Sequence, residues 1–395
     1  MAREIYVNTA VANGDGSKQS PFNSLFHAIS VAVSGDTILL TGTVDAAVDF
    51  VNRSITLPAL ASLAITAYGD AGAKITNFLQ IRCVGGAIKF TRVGLHCNVG
   101  ADKPIHVTAG TLSLISCSVP GLNLMSFPSD GVRTFAYIAG GNLEVADVTV
   151  DIAAAMAVVP VTSTNLRHLF YIDTAGKLTM RSSRISNMPA NFKCVKLTNK
   201  GGFADISSTT ISTGNFTDTS TVGEFAFIDI EGTVDNSAPV GLSFHHNTVR
   251  NLPCVLNIYS LSGKSIDLRH SAGGDLRDGG VMCLNNFVNN FLISYGNTRS
   301  NLYFYNNTVH GGHYGLYAAN LHQATVLNTI FANMTEVPDP IAQLPIGAPD
   351  TCFTCNSGLD GMITVSYCDA YNIPGPVYIS AMNGILTRGA YLRAI

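Results

Sequence analysis

Ten times between Ile88 and Ala370 the chain repeats one spacing: an apolar residue, a second two positions on, and a third five further on. The copies are Ile88/Phe90/Leu95, Leu112/Leu114/Val119, Leu143/Val145/Val150, Leu178/Met180/Ile185, Ala204/Ile206/Ile211, Leu242/Phe244/Val249, Val281/Cys283/Val288, Leu302/Phe304/Val309, Ala324/Val326/Phe331 and Ile363/Val365/Ala370. The first two apolar residues of each share one face of a strand, whereas an offset of five puts the third on the opposite face unless the chain turns a corner between them. Asn fills that stretch in Leu242–Val249 (LSFHHNTV) and Leu302–Val309 (LYFYNNTV). Asn suits a corner because it tolerates the left-handed conformation and bonds its own backbone. Successive copies start 21 to 39 residues apart. The short intervals read as the basic unit and the long ones as that unit plus a loop, a period that marks a solenoid. Each repeat of a solenoid contacts only its neighbours, so 395 residues need not divide into ordinary globular domains.

Composition narrows the function. Charged residues make up only 12% of the chain and the net charge is −3, with no Lys/Arg cluster, so the electrostatic footprint of a nucleic-acid binder is missing. No apolar run reaches the roughly 18 residues of a membrane span; the longest candidate, Ile152–Val161, contains Pro160. The opening segment, MAREIYVNTA, has no signal-peptide core. The nine Cys (83, 97, 117, 194, 254, 283, 352, 355 and 368) are odd in number and scattered through strand patterns, as buried free thiols are. Cys352 and Cys355 form a CxxC without the second pair that a zinc site needs, which leaves a local disulfide or no role. Asn13-Gly14-Asp15-Gly16 reads as a turn, one Asp being thin for calcium. No cofactor and no metal are expected.

Residues 1–45 read as strand, loop, helix, strand. Asn23-Ser24 is placed to cap a helix through Val33, with Leu25, Phe26, Ile29 and Val33 on one face. The run YVN, NGDGS, SPFNSLFHAI, SGDTILLTGTV is similar to the opening of right-handed parallel β-helix proteins of the pectate-lyase-like superfamily. The resemblance implies an all-β fold: a right-handed single-stranded parallel β-helix, or solenoid, with an N-terminal capping helix over its open end. The expected organisation is 1–45 as strand and cap, 46–371 as the β-helix with an irregular excursion over 336–362, and 372–395 as a C-terminal tail or cap.

Two regions carry candidate chemistry. Six of the ten His lie between 245 and 322, among several Tyr. Tyr295, Tyr303, Tyr305, Tyr314, His310 and His313 are the candidate glycan-binding residues, and Asn247, Asn286 and Asn307 are expected to stack as a corner ladder. Glycoside hydrolysis needs two acids on one surface. A lyase needs a base and a cation beside the uronate. Asp229 and Glu231 stand two apart on one strand, and Asp267 and Arg269 repeat that spacing beside His270. These five are the candidate catalytic residues. His245 and His246 are read as corner occupants, because Ser, Asn, Tyr or Leu fill the same offsets elsewhere.

The Asp-rich and His/Arg motifs of pectate lyases and polygalacturonases are missing, and HGGHYG at 310–315 only echoes one of them. The expectation is therefore a virion-associated structural or receptor-binding β-helix, phage tailspike-like or capsid-decorating, located in the virion or outside the cell. The tailspike resemblance implies a homotrimer contacting other virion proteins or a cell-surface polysaccharide. The alternative is a polysaccharide lyase or glycoside hydrolase acting on an acidic glycan.

Overall fold

A computed structural model describes residues 2–69, 72–98, 100–124, 132–154, 167–188, 192–198, 202–213, 226–230, 241–250, 254–258, 265–269, 272–276, 282–283, 301–306, 308–311, 314–319, 323–332, 351–356, 362–372, 378–380, 385–386 and 392–394. In the strands Ala226–Ile230, Ser265–Arg269, Asn301–Tyr305 and Tyr314–Ala319 the description is of backbone and register alone. The chain forms two compact units, Met1–Asn191 and Phe192–Ile395.

In Met1–Asn191 each coil contributes up to three strands, and each strand pairs in parallel with its counterpart one coil on. Thr134–Ile138 pairs with Arg167–Ile172, Asn142–Ala146 with Lys177–Arg181, and Thr149–Ile152 with Arg184–Met188. The apolar repeat forms the interior columns. Leu63, Ile88, Leu112, Leu143 and Leu178 stand in register, as do Ile38, Ile65, Phe90, Leu114, Val145 and Met180, all buried. Parallel neighbours lie about 4.8 Å apart, so each side chain packs on the one below it. The architecture is a parallel β-helix built from mostly β structure. The pairing begins inside 1–45, where Glu4–Asn8 joins Thr37–Asp45. The intervals read as loops hold a further strand of the coil, such as Thr134–Ile138 within 120–142 and Arg167–Ile172 within 151–177.

In Phe192–Ile395 the column Ala204, Leu242, Ile266, Leu302, Ala324, Ile363, Leu386 follows the same plan. It corrects one copy of the repeat. The coil between Leu242 and Leu302 is Ile266/Leu268/Gly273, not Val281/Cys283/Val288. Gly273 stands where the other coils carry an apolar residue, so the segment 261–280 looks like an insertion in sequence. Cys283 faces Tyr317 on another ladder. Within the excursion 336–362, Thr351–Asn356 is a strand paired with Tyr314–Ala319, and the tail supplies Ile385–Leu386 and Leu392–Ala394 as a further coil. Cys352 and Cys355 lie three apart on the strand Thr351–Asn356. Their Cα atoms are therefore about 10 Å apart, beyond the roughly 7 Å a disulfide spans.

The corner has one geometry wherever it is described. Two positions after the second apolar residue the backbone is left-handed: Arg92, Ser116, Asp147 and Ser182 in the first unit, and Ser208, His246, Asn306, Asn328 and Tyr367 in the second, with φ between 47° and 59°. The turn exposes the corner amide, which donates to the next coil, as Ser116 N does to Ala146 O (2.8 Å) and Asn306 N to Leu327 O (2.9 Å). That bond offsets the roughly 1–2 kcal/mol a residue with a Cβ spends in this conformation. Asn is therefore one tenant among several, and the Asn-on-Asn step occurs at this offset, from Asn328 Nδ2 to Asn306 Oδ1 (2.7 Å).

One position further on the side chain turns inward and caps the corner. Thr209, Ser183, Thr329, Cys117 and Cys368 each donate to the carbonyl two residues back. Asn247, 1% exposed, reaches the preceding coil instead, accepting from Thr209 N (2.9 Å) and donating to Ile206 O (2.8 Å). Asn286 and Asn307, the other members of the expected ladder, lie outside the described residues. Asn247→Ala leaves a buried donor and a buried acceptor unpaired, and is expected to cost about 2–4 kcal/mol. Asn247→Thr should recover about half of that, because Thr serves the same offset in Thr209 and Thr329. Urea denaturation midpoints measure both; equal midpoints for wild type and Asn247→Ala would contradict the assignment.

A different turn, earlier in each coil of the first unit, is built from glycine. A Cβ on Gly86 would fall on Leu60 O, and one on Gly110 on Gly86 O. On Gly141 it would lie 2.6 Å from Val107, and on Gly176 2.5 Å from Ile138 O. Backbone rests on backbone in this column.

The cap helix spans Leu25–Val31, with Ser24 Oγ accepting from His27 N (3.0 Å) and Asp49 holding Ser24 Oγ and Phe26 N. Leu25, Ala28 and Ile29 form its buried face. Phe26 (54% exposed) and Val33 (52%) do not join it, a correction to the expected face. The helix stops before Val33 because Asp36 draws the chain away: its carboxylate accepts from Val33 N (3.0 Å), from Arg3 N (2.9 Å), and from Arg3 Nε (3.1 Å) and Nη2 (2.7 Å). The Arg3 guanidinium bond, with the two backbone bonds, outweighs burial and holds the Asp36 carboxyl down to about 2. A carboxylate depressed in the folded state contributes stability above its unfolded pKa of 3.8, lost as pH falls toward 2. The melting temperature should therefore drop between about pH 4 and 2, and Asp36→Asn should remove that part of the slope; an unchanged slope would refute the linkage.

Candidate functional site

Strand alternation in the ladder of Phe203–Ser207, Gly241–His245, Ser265–Arg269 and Asn301–Tyr305 buries Ala204, Ile206, Leu242 and Phe244. The alternate positions run in register as Asp205, Ser243, Asp267, Tyr303 and as Ser207, His245, Arg269, Tyr305. Within these columns Asp205 Oδ1 lies 3.3 Å from His245 Nε2, with both side chains about one-third exposed (35% and 28%). On the far side of the ring, His245 Nδ1 is 2.8 Å from His246 Nδ1. Two imidazole nitrogens at that distance share one proton. A proton on Nε2 of His245 would make its Nδ1 the acceptor and His246 Nδ1 the donor, and the three groups a proton relay. His246 itself stands at an exposed left-handed corner.

The sequence-expected residues distribute as follows. Asp267 faces Ser243 and Tyr303, and Arg269 faces His245 and Tyr305, so these two and the two tyrosines gather with the Asp205–His245 pair. Asp229 lies on another ladder, facing Lys196 and Asn257. Tyr314 faces Thr351 on a third ladder, and His310 faces Ala332 on a fourth, past the corner. Glu231, His270, Tyr295 and His313 lie outside the described residues. Asp205 and His245 were not among the sequence candidates. They are 40 residues apart, and the signal that finds them is the register of the repeat, which puts Asp205 one column and one coil from His245.

Among the described residues, the cysteines and the Asn13–Gly16 turn offer no reactive group. Burial pushes the thiols of Cys83, Cys117, Cys194 and Cys368 up, and that of Cys97 to about 12, so none is a thiolate near neutrality. Asp15 accepts from Ser17 N (2.9 Å), so the Asn13–Gly16 segment is a turn held by its own acid. A cavity of about 480 Å³ beside the cap helix, lined by Phe26, Ile29, Phe50, Leu57 and Val84 among others, holds no titratable group.

No family model and no curated protein matches this chain. Among solved structures it is similar to a complex of the alginate lyase AlyF-OU02 with G6, at 10% identity and a TM-score of 0.42. It is also similar to a PL6 alginate lyase in complex with a trisaccharide, at 9% identity and a TM-score of 0.37. Each comparison covers 94% of this chain and 72% of the other.

Proposed function

We propose that this protein binds an extended acidic polysaccharide along the ladder containing Asp205, His245, Asp267 and Arg269, and cleaves it by β-elimination. The reading is carried by one observation, the Asp205–His245–His246 relay set in register with an acid, a guanidinium and two tyrosines on adjacent coils. In that reaction the relay takes the proton from the carbon beside the uronate carboxylate. The electron pair forms the new C=C bond, the glycosidic C–O bond breaks, and a proton from the site or from water caps the departing oxygen. Arg269, one coil from His245, serves to neutralise the uronate carboxylate, and Tyr303 and Tyr305 serve as platforms for sugar rings.

The test is incubation with a panel of polyuronates, reading unsaturated-uronate absorbance and chain length together. New absorbance with shortening supports β-elimination. Shortening without absorbance moves the reaction to hydrolysis. Saturable binding without shortening leaves the receptor-binding reading, that of a virion-associated or extracellular rod, for which native mass should give a homotrimer.

A further inference from the structure

On a separate ladder of the first unit, Arg82, His106, Tyr137 and Tyr171 stand in one column on four successive coils. Their neighbours on either side, Ile81 and Cys83, Ile105 and Val107, Ala136 and Ile138, Phe170 and Ile172, are all 0% exposed, so alternation directs the column outward. The rings are half-buried and continuous: His106 to Tyr137 is 5.2 Å between centroids, Tyr137 to Tyr171 5.6 Å, and His168 to Tyr171 5.5 Å. They are not stacked flat on each other, the first two pairs being tilted by 60° and 33°. Lys103 Nζ sits 5.2 Å from the Tyr137 centroid, over the ring. Tyr137 OH donates to Asp173 Oδ2 (2.8 Å), which fixes that ring in place.

The charges around the column are unequal in reach. Asp173 is 8% exposed and already engaged by Tyr137 and by Thr174 N. Arg82 is exposed, and Lys103 and Asp102 are half-buried. His106 senses the balance. Burial lowers its pKa first, and Arg82 and Lys103 lower it further against the opposing pull of Asp102. The imidazole is therefore neutral near pH 7, and the cations beside it are Arg82 and Lys103.

Beyond their cation–π contact, the cations over and beside the rings give the column charge complementary to an anionic ligand. We propose that this column is a second saccharide site, taking an anionic oligosaccharide that runs along the coils against Tyr137 and Tyr171 with acid groups toward Lys103 and Arg82. Hydrogen-bonded rings held by the coil lose little freedom on binding, which favours such a platform. All of these groups belong to Met1–Asn191, so the site does not depend on the Asp205–His245 face.

Calorimetric titration with hexagalacturonate tests it, in the His245→Ala chain and again with Arg269→Gln, Tyr303→Ala and Tyr305→Ala added, which removes the binding assigned to the other face. Saturable binding is expected in both. Tyr137→Ala with Tyr171→Ala should weaken it by about tenfold or more, and Lys103→Gln, on a half-buried side chain, by about threefold to tenfold. Cellohexaose, a neutral chain, should bind at least about tenfold more weakly. Weakening of this kind upholds the site even if no cleavage is ever found. The site is refuted if the probe does not saturate, if cellohexaose binds as tightly, or if a double-Tyr variant of unchanged melting temperature keeps the parent affinity. Should the Tyr variants fail to fold, an unchanged affinity in Lys103→Gln refutes it alone.

Discussion

His245→Ala is expected to lower polyuronate cleavage by about 10²–10⁴-fold, the usual contribution of a positioned acid–base group. The loss should fall on kcat rather than KM, since the ring handles a proton and the tyrosines and Arg269 are assigned the binding. Asp205→Asn should give a smaller loss, about 10–100-fold, because it removes the group that orients His245 and leaves the imidazole in place. Full activity in His245→Ala would reject the site, and it would leave the β-helix description intact, because His245 is not an interior residue.

Gly110→Ala is expected to have a large effect on stability. Two costs combine. Gly110 has a φ of 73°, where a Cβ costs about 1–2 kcal/mol. That Cβ would also fall on the carbonyl oxygen of Gly86, a backbone atom that cannot swing aside as a flexible side chain would. Together they should exceed about 4 kcal/mol, or about 10 °C in the melting temperature of a unit this size. Gly69 isolates the first cost, for its φ is 82° and nothing lies within 4 Å of the added Cβ. Gly69→Ala should therefore cost only about 1 kcal/mol. Similar melting temperatures for the two variants would show that the coils spread to admit the methyl group.

Much of the coil was legible because the interior is demanding. Phe90, Leu114, Val145 and Met180 stack on one another, and only apolar side chains satisfy that column, so the spacing survives in the sequence. Where one coil relaxed the demand, at Gly273, the pattern broke and Val281/Cys283/Val288 took its place in the reading. The strands of a further face, such as Thr134–Ile138, were hidden for a different reason: they lie in the long intervals, outside the spacing that repeats. The glycine column left no readable trace, because a glycine looks the same whether it relieves φ or relieves contact with the coil below. The site was the least legible part. Asp205 and His245 meet only through register, and Asp229, chosen for its spacing to Glu231, lies on a ladder other than that of Asp267.

The left-handed corner has a consequence beyond holding the turn. Its backbone geometry is the same whether the residue is Arg92, Ser116, Asp147, Ser208, Asn306 or Asn328, since the bond that secures it comes from the amide and not from the side chain. Within each unit this edge is therefore a row of addressable positions at a pitch of about 4.8 Å. Cations, acids, rings or amides can be exchanged along it without disturbing the interior. A scaffold of this kind lets surface chemistry be written one coil at a time, in selection or in design, as a linear display.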